Sequence, residues 1–250
     1  MKNLILAISN SITDVSKPKG IVFDIDSTLL WNTRRHLAIF REFGQRVGIP
    51  ELTSLQPLQV EDWVLHNTMR NAGLAEEDVE KLMPRFLPFW QERFFSPHFC
   101  QYDEPIVGAV QFVRWVKECG VEVIYCSGRH LEIVEATCRS LASFGFPTEP
   151  PAVSWFLKPK FEMLDLDFKL SAAAEISSRW NVIAAFENEP EHLDRMSFYL
   201  PEAVHVLLST NCRDPHYPVK NLQKFLKVEN YAKILAEIRK NLSSRASLSF

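Results

Sequence analysis

Gly20-Ile21-Val22-Phe23-Asp24-Ile25-Asp26-Ser27-Thr28-Leu29-Leu30 is the stretch on which the reading of this chain turns. Ile21, Val22 and Phe23 form a short continuous apolar run with β-branched residues, the pattern of a strand buried on both faces. Two carboxylates follow, one residue apart, and then small hydroxyl residues. Two acids at the end of a buried strand are costly unless something offsets their charge. A hard cation does this with oxygen ligands, and it commonly brings a phosphate with it. On an extended chain Asp24 and Asp26 share parity, so both side chains can point into one pocket at the strand's C-terminal end. That end is where open α/β sheets bind ligands.

The rest of the chain is consistent with a globular host for such a strand. Its 250 residues suffice for one large domain or a domain with a sizeable insertion. The net charge of -3 gives no basic face for nucleic acid. Five cysteines are scattered without a C-x-x-C pair, so neither a zinc site nor a disulfide framework is indicated. Reduced thiols in a cytoplasmic setting are the simplest reading. Leu4 to Ile8 is apolar but too short to span a bilayer, and no long hydrophobic region follows Lys2 as a secretory signal requires. No membrane association is expected. Met1 to Lys19 reads as a leader ending in the breaker-rich Ser16-Lys17-Pro18-Lys19-Gly20.

Beyond the first strand the pattern turns helical from Asn32 to Phe99. Leu37, Phe40, Phe43 and Val47 recur at spacings of three and four, predicting an amphipathic helix that ends near Gly48 and Pro50. Val60, Trp63, Val64 and Met69 predict a second. Glu76–Met83 predicts a third and Phe86–Phe95 a fourth, separated by Pro84 and Pro88. From Pro105 onward, helices and apolar strands alternate. Helices are predicted over Pro105–Cys119, Leu131–Phe144, Phe168–Trp180 and Asn230–Asn241. Strands are predicted over Val121–Tyr125, Ala152–Leu157, Val182–Phe186 and Ala203–Leu208, and the Ser-rich tail Ser243–Phe250 is expected to fray. This alternation implies right-handed crossovers and a Rossmann-like parallel sheet with helices on both faces. The predicted fold class is thus α/β with an inserted all-helical cap. Residues 1–31 and 100–250 form the core, and 32–99 the cap.

Four of the five predicted strands end in polar residues that can meet at one edge of the sheet. The first gives Asp24 and Asp26, the second Ser127-Gly128-Arg129. The segment Asp167-Phe168-Lys169 supplies a lysine, and Phe186-Glu187-Asn188-Glu189-Pro190 an acidic cluster. Ser127 and Gly128 in isolation would be a cap and turn. The acids at 187–189 would in isolation cap the next helix, with Pro190 in its first turn. Arg129 suits either an anionic substrate or a structural ion pair. Arg34 and Arg35 suit either an anionic substrate or a solvated helix face. Cys126 lacks the arginine and glycine-rich cradle of a C-x5-R loop and reads as the buried end of its strand. His130, beside the second of these segments, could touch a substrate but reads rather as a surface or helix-start residue. Trp63, Phe86, Phe89 and Trp90 recur at helical spacing and read as core.

In this order the motifs resemble those of the haloacid dehalogenase (HAD) superfamily, over nearly the whole stretch from Gly20 to Leu208. Asp24-Ile25-Asp26-Ser27-Thr28 matches D-x-D-x-T in full. The resemblance implies a Mg²⁺-dependent phosphatase acting on a small phosphomonoester, with an aspartyl-phosphate formed on Asp24. Asp26 would be the acid and base, and its backbone carbonyl, like the Asp24 side chain, a metal ligand. Ser127, Gly128 and Arg129 would bind substrate, with Ser127 helped by backbone N–H groups at the following helix N-terminus. Lys169 would neutralise phosphate, with Lys158 and Lys160 competing for the role. The family's fourth motif usually carries Asp, whereas this chain offers Glu187 as metal ligand, with Asn188 and Glu189 alternatives. The insertion resembles a C1-type cap, which implies a small phosphorylated metabolite as the partner. A phosphomutase, or a silent binding protein of the same fold, remains a rival reading.

Overall fold

The apolar run at 19–23 becomes a central strand in the computed structural model, which describes residues 2–9, 17–221 and 225–246. The strands in chain order are β1 (Lys19–Phe23), β2 (Leu30–Trp31), β3 (Glu104–Pro105), β4 (Glu122–His130), β5 (Val153–Lys158), β6 (Asn181–Glu187), β7 (Val204–Leu208) and β8 (Leu226–Val228). Six of them form one sheet in the order β5-β4-β1-β6-β7-β8, parallel at every pairing. From β1 the chain builds outward through β4 and β5, then crosses to β6 on the other side. The order therefore reverses around β1, which opens a crevice at the carboxyl ends of β1, β4 and β6.

Alternation along β1 assigns the two faces. Ile21 and Phe23 pack against helices Lys2–Ser9, Ala109–Glu118 and Ala232–Ala246, through Leu4, Ile8, Phe112 and Ile234 among others. Val22 faces the other way, onto Phe168, Ala172 and Ile176 of helix Asp165–Arg179 and Leu193 of helix Pro190–Met196. Asp24 continues the parity of Val22, so it leaves the sheet on the side of the helix that carries Lys169.

Between β2 and β3 the chain makes a separate helical layer. Its main helices are Thr33–Val47, Leu65–Asn71 and Glu76–Phe94. They bury their own apolar cluster, including Phe40, Phe43, Phe86 and Met69, with the Phe40 and Phe86 rings stacked at 4.4 Å. β2 and β3 pair antiparallel, Leu30 opposite Pro105 and Trp31 opposite Glu104.

Several expectations change. The supposed leader contributes a helix, Lys2–Ser9, whose Leu4, Ile5 and Ile8 are buried in the core; residues 10–16 lie outside the described residues. The helices expected at 76–83 and 86–95 are one continuous helix, Glu76–Phe94, with Pro84 and Pro88 inside it. Both prolines lie on its exposed face, so the carbonyls that lose their partners can bond water. Buried Val79, Phe86, Phe89 and Phe94 hold the other side. Pro84→Ala is therefore expected to raise the urea midpoint, by about 1–2 kcal/mol of stability. β4 runs five residues further than predicted, through Ser127, Gly128 and Arg129 to His130. The helix expected from Pro105 begins at Ala109, because Pro105 joins the ribbon. β2, β3 and β8 are too short to show a periodicity and were not predicted. The closing helix extends through Ser243 to Ala246, and 247–250 lie outside the described residues. No helix among the described residues is long and apolar enough to cross a membrane.

Candidate active site

At the carboxyl ends of β1, β4 and β6 a cleft of about 340 Å³ is lined by Asp24, Asp26, Ser127, Gly128, Arg129, Lys169, Glu187, Asn188 and Glu189. The residues of all four motifs thus border one cavity, whereas Lys160, Arg34 and Arg35 do not line it. The Lys169 ammonium stands at its floor, 2% exposed. It donates to Asp24 Oδ1 at 2.6 Å, Glu187 Oε2 at 2.8 Å and the Cys126 carbonyl at 2.7 Å. All three of its protons are used, and it joins the ends of β1, β4 and β6. Burial pulls its pKa down, but the Asp24 and Glu187 carboxylates overcome this and hold it well above the ordinary lysine range. Lys158 is placed otherwise. It pairs with Asp165 Oδ1 at 2.7 Å on the cleft wall.

The two acids of the first strand have opposite environments. Burial, reinforced by Glu187 and opposed by Lys169, pushes the Asp24 pKa up to about 7. Asp26 is also buried, but Arg129 outweighs that and holds it down to about 2. The guanidinium reaches both oxygens, Nε to Oδ2 at 2.9 Å and Nη2 to Oδ1 at 2.6 Å, and Asn32 Nδ2 donates to Oδ1 at 2.8 Å. Between the acids and β2 the chain makes a tight turn. Ser27 takes a left-handed φ of 58°, and its N–H donates to Leu30 O and Asn32 Oδ1. The Asn32 amide thus fixes both the turn and Asp26.

Arg129 continues away from the cleft. It also bonds Asp103 Oδ2 at 3.0 Å, and Asp103 in turn takes a two-pronged pair from Arg35. All three side chains are fully buried. The guanidinium considered for substrate is therefore spent on two carboxylates, and Arg35 on Asp103 and the Phe94 carbonyl. Arg34 pairs with exposed Glu104. Neither Arg34 nor Arg35 lines the cleft. Asp103 escaped the sequence reading because nothing in Tyr102-Asp103-Glu104 marks it as the buried member.

Ser127 accepts through Oγ from the Arg129 N–H at 3.2 Å. The helix expected to begin beside it starts only at Val134, after a 3-10 turn at Leu131–Ile133, so no helix N-terminus backs Ser127. At Gly128 a Cβ would lie 3.0 Å from Asp165 Oδ1, tighter than ordinary contact, so a side chain there would press on the Lys158–Asp165 pair. His130 sits against Phe95 at 5.1 Å, a wall contact. Cys126 is buried as expected, but it lies within β4 rather than at its end, because the strand runs on to His130.

The acidic loop is bound on nearly every oxygen. Glu187 Oε1 accepts from the Asn188 and Glu189 N–H groups at 3.1 Å each. Asn188 Oδ1 accepts from Thr28 Oγ1 at 3.1 Å, tying this loop to the first motif. Burial pushes Glu189 up to about 7. Asp24 and Glu187 share one ammonium, Lys169, while both Glu189 oxygens accept from the Arg213 backbone N–H, so the floor sets two carboxylates against one cation. Among the described residues no three His, Cys, Asp or Glu side chains converge as a metal cage. Magnesium does not need one, since it is commonly held by one or two carboxylates with water and phosphate completing the shell. The oxygen-only donor set and the surplus negative charge fit such a cation.

The far wall was read from sequence as cap core. Phe86 and Phe89 are core, but Trp63 and Trp90 line the cleft together with Phe94, Phe95 and Phe161. Behind them His36 is fully buried, 5.4 Å from Trp63 and 5.7 Å from Trp90 between ring centroids. Burial and then Arg35 lower its pKa from 6.5 to about 3. The unfolded chain therefore takes the proton first. The stability His36 contributes is complete above its unfolded pKa of 6.5 and is lost as pH falls toward about 3. Chemical denaturation across that window should show a shallower acid slope for His36→Phe than for the native chain.

A Rossmann-like α/β core with a carboxylate–lysine floor at its switch point defines an enzyme of the parallel-sheet class. The family model for haloacid dehalogenase-like hydrolases matches residues 18–166, and the chain belongs to that family. Mycobacterium tuberculosis protein tyrosine kinase A (PtkA) superposes with a TM-score of 0.54 at 15% identity, over 90% of this chain and 99% of its own. A predicted phosphatase of Clostridium acetobutylicum gives 0.52 at 12% identity, over 90% and 99%. A haloacid dehalogenase-like family hydrolase of Streptococcus pneumoniae gives 0.53 at 9%, over 89% and 99%. Identities this low speak for the fold alone. None of the curated proteins matches the chain in sequence.

Proposed function

We propose that the chain is a Mg²⁺-dependent phosphatase of small phosphomonoesters that works through an aspartyl-phosphate on Asp24. The observation that carries this reading is the Asp24 carboxylate at the cleft floor, 2.6 Å from the fully engaged Lys169 ammonium. Phosphoryl transfer asks for a nucleophile in line, neutralised equatorial oxygens and a positioned acid or base. Asp24 supplies the nucleophile. It forms the bond to phosphorus as the ester oxygen leaves. Lys169 faces the charge that develops beside it. Ser127 and the backbone at Gly128 border the phosphoryl site at the end of β4.

Asp26 carries the protons. Held ionised by Arg129, it relays a proton from the phosphomonoester monoanion to the departing oxygen, then takes one from the water that opens the aspartyl-phosphate and hands it to the released phosphate. Arg129 and Asn32 hold its carboxylate in one orientation for both transfers. Arg129 thus acts on substrate through Asp26, a positioning role that takes the ion-pair alternative of the two the sequence left open. Asp24, Glu187, the Asn188 amide oxygen and the Asp26 carbonyl are the groups that would hold Mg²⁺, which supplies charge neutralisation for the phosphate. Glu187 is the acid we assign to it. Residues 32–99 act as a cap over a core formed by 1–31 and 100–250. Leu30–Thr33 and Cys100–Pro105 are its hinges, and the cap excludes water from the cleft.

The test is phosphate release from p-nitrophenyl phosphate with Mg²⁺, with EDTA, and with Mg²⁺ restored in excess. Release should fall to background with chelator and return with the metal. Equal rates in all three would remove the metal, and no release with Mg²⁺ or Mn²⁺ would remove the activity.

A further inference from the structure

We infer that the leaving group of the substrate carries a flat aromatic ring, seated against a wall of Trp63, Trp90, Phe94, Phe95 and Phe161. This rests on the phosphatase reading and specifies its substrate class. Four of the five rings come from the helical layer and one, Phe161, from the loop after β5. They are packed on one another as a continuous surface. Trp90 stacks on Phe94 at 4.8 Å, Trp63 meets Phe94 edge to face at 5.5 Å, and Phe95 meets Phe161 edge to face at 5.3 Å. The last contact joins the helical layer to the core across the cleft.

The polar atoms of this wall are already used. Trp63 Nε1 donates to Ser27 Oγ at 3.1 Å, and Trp90 Nε1 donates to His36 Nδ1 at 3.1 Å. Both indoles therefore offer the cleft carbon and π surface with no free donor. A polyol leaving group would lose its water against that wall and gain no hydrogen bond from it. A ring would gain offset or edge contacts, which suit such surfaces beyond simple area burial. The nearby Lys158, Asp165 and Arg213 charges are paired among themselves. At about 340 Å³ the cleft is at the small end of ligand sites. That suits one ring with its phosphate.

The experiment compares kcat/KM for benzyl phosphate, cyclohexylmethyl phosphate and glycerol 1-phosphate, with acetyl phosphate as a ring-free control. The first two share a primary-alcohol leaving group and a six-carbon ring, so flatness is what separates them. Benzyl phosphate is expected to be preferred over both by about tenfold or more. In Phe161→Leu and Trp63→Leu the benzyl to cyclohexylmethyl ratio should shrink toward unity. Quenching of tryptophan fluorescence by benzylphosphonate, absent with methylphosphonate, gives a readout on the native chain should those variants fail to fold. Turnover of benzyl and cyclohexylmethyl phosphates within about twofold of each other, or preference for glycerol 1-phosphate, overturns the ring assignment. Phosphate release in those cases leaves the phosphatase reading standing. Release from none of the four, acetyl phosphate included, removes that reading and this one with it.

Discussion

Asp24→Asn is expected to lower phosphate release from p-nitrophenyl phosphate by about 10⁴-fold or more, since losing a covalent nucleophile costs on that scale. The folded state should hardly notice. Asparagine keeps an oxygen at the position that accepts from Lys169, and the change removes a carboxylate whose ionised form burial opposes. Urea denaturation should therefore give equal or greater stability, while kcat collapses. The two readouts separate a lost reaction from a lost fold. Activity within tenfold of the native chain would show that another group attacks phosphorus.

The second large effect falls on stability. Asp103→Ala should cost about 3–5 kcal/mol, the range for removing one partner of a buried ion pair. Asp103 lies fully buried between Arg35 and Arg129. Without it, Arg35 retains the Phe94 carbonyl and the face of the Phe94 ring at 4.5 Å, but no carboxylate. Arg129 keeps Asp26 alone. The loss should appear as a lower urea midpoint with an unchanged slope. Asp103→Asn should fall between the two, since the amide can still accept from one guanidinium. A cost below about 1 kcal/mol would mean that the guanidiniums find water.

The fold was legible where burial writes a pattern. Ile21–Phe23 and Val182–Phe186 are apolar on both faces because helices cover both, and such strands stand out. The first motif and Glu187 were legible for the same reason: each sits at the end of an apolar strand, where charge is otherwise costly, whereas Lys169 was singled out by its place in the family resemblance. What failed to show was set by partners distant in sequence. Pro84 and Pro88 read as breaks because local rules cannot see that one face of their helix is pinned by Phe86 and Phe89. Lys2–Ser9 read as a leader because its partners lie near Phe112 and Ile234. Trp63 and Trp90 read as core, which is half the truth. Their helical spacing is real, but a cleft wall and a core stripe carry the same pattern. Asp103 left no trace, since an acid between tyrosine and glutamate gives no sign of two buried arginines.

The ribbon of β2 and β3 has one further consequence. Leu30 and Pro105 are cross-strand neighbours, so everything between them leaves and rejoins the sheet through a single narrow gate. Such a stretch leaves and rejoins the core backbone at one place, so its length can change without lengthening or shortening the strands that carry Asp24 and Glu187 or the helix that carries Lys169. Under the proposed reading, the chemistry and the choice of what it acts on are thus separable inheritances. Under that reading a lineage can trade the four rings of the helical layer for a different lining while the phosphorus-facing groups stay where they are.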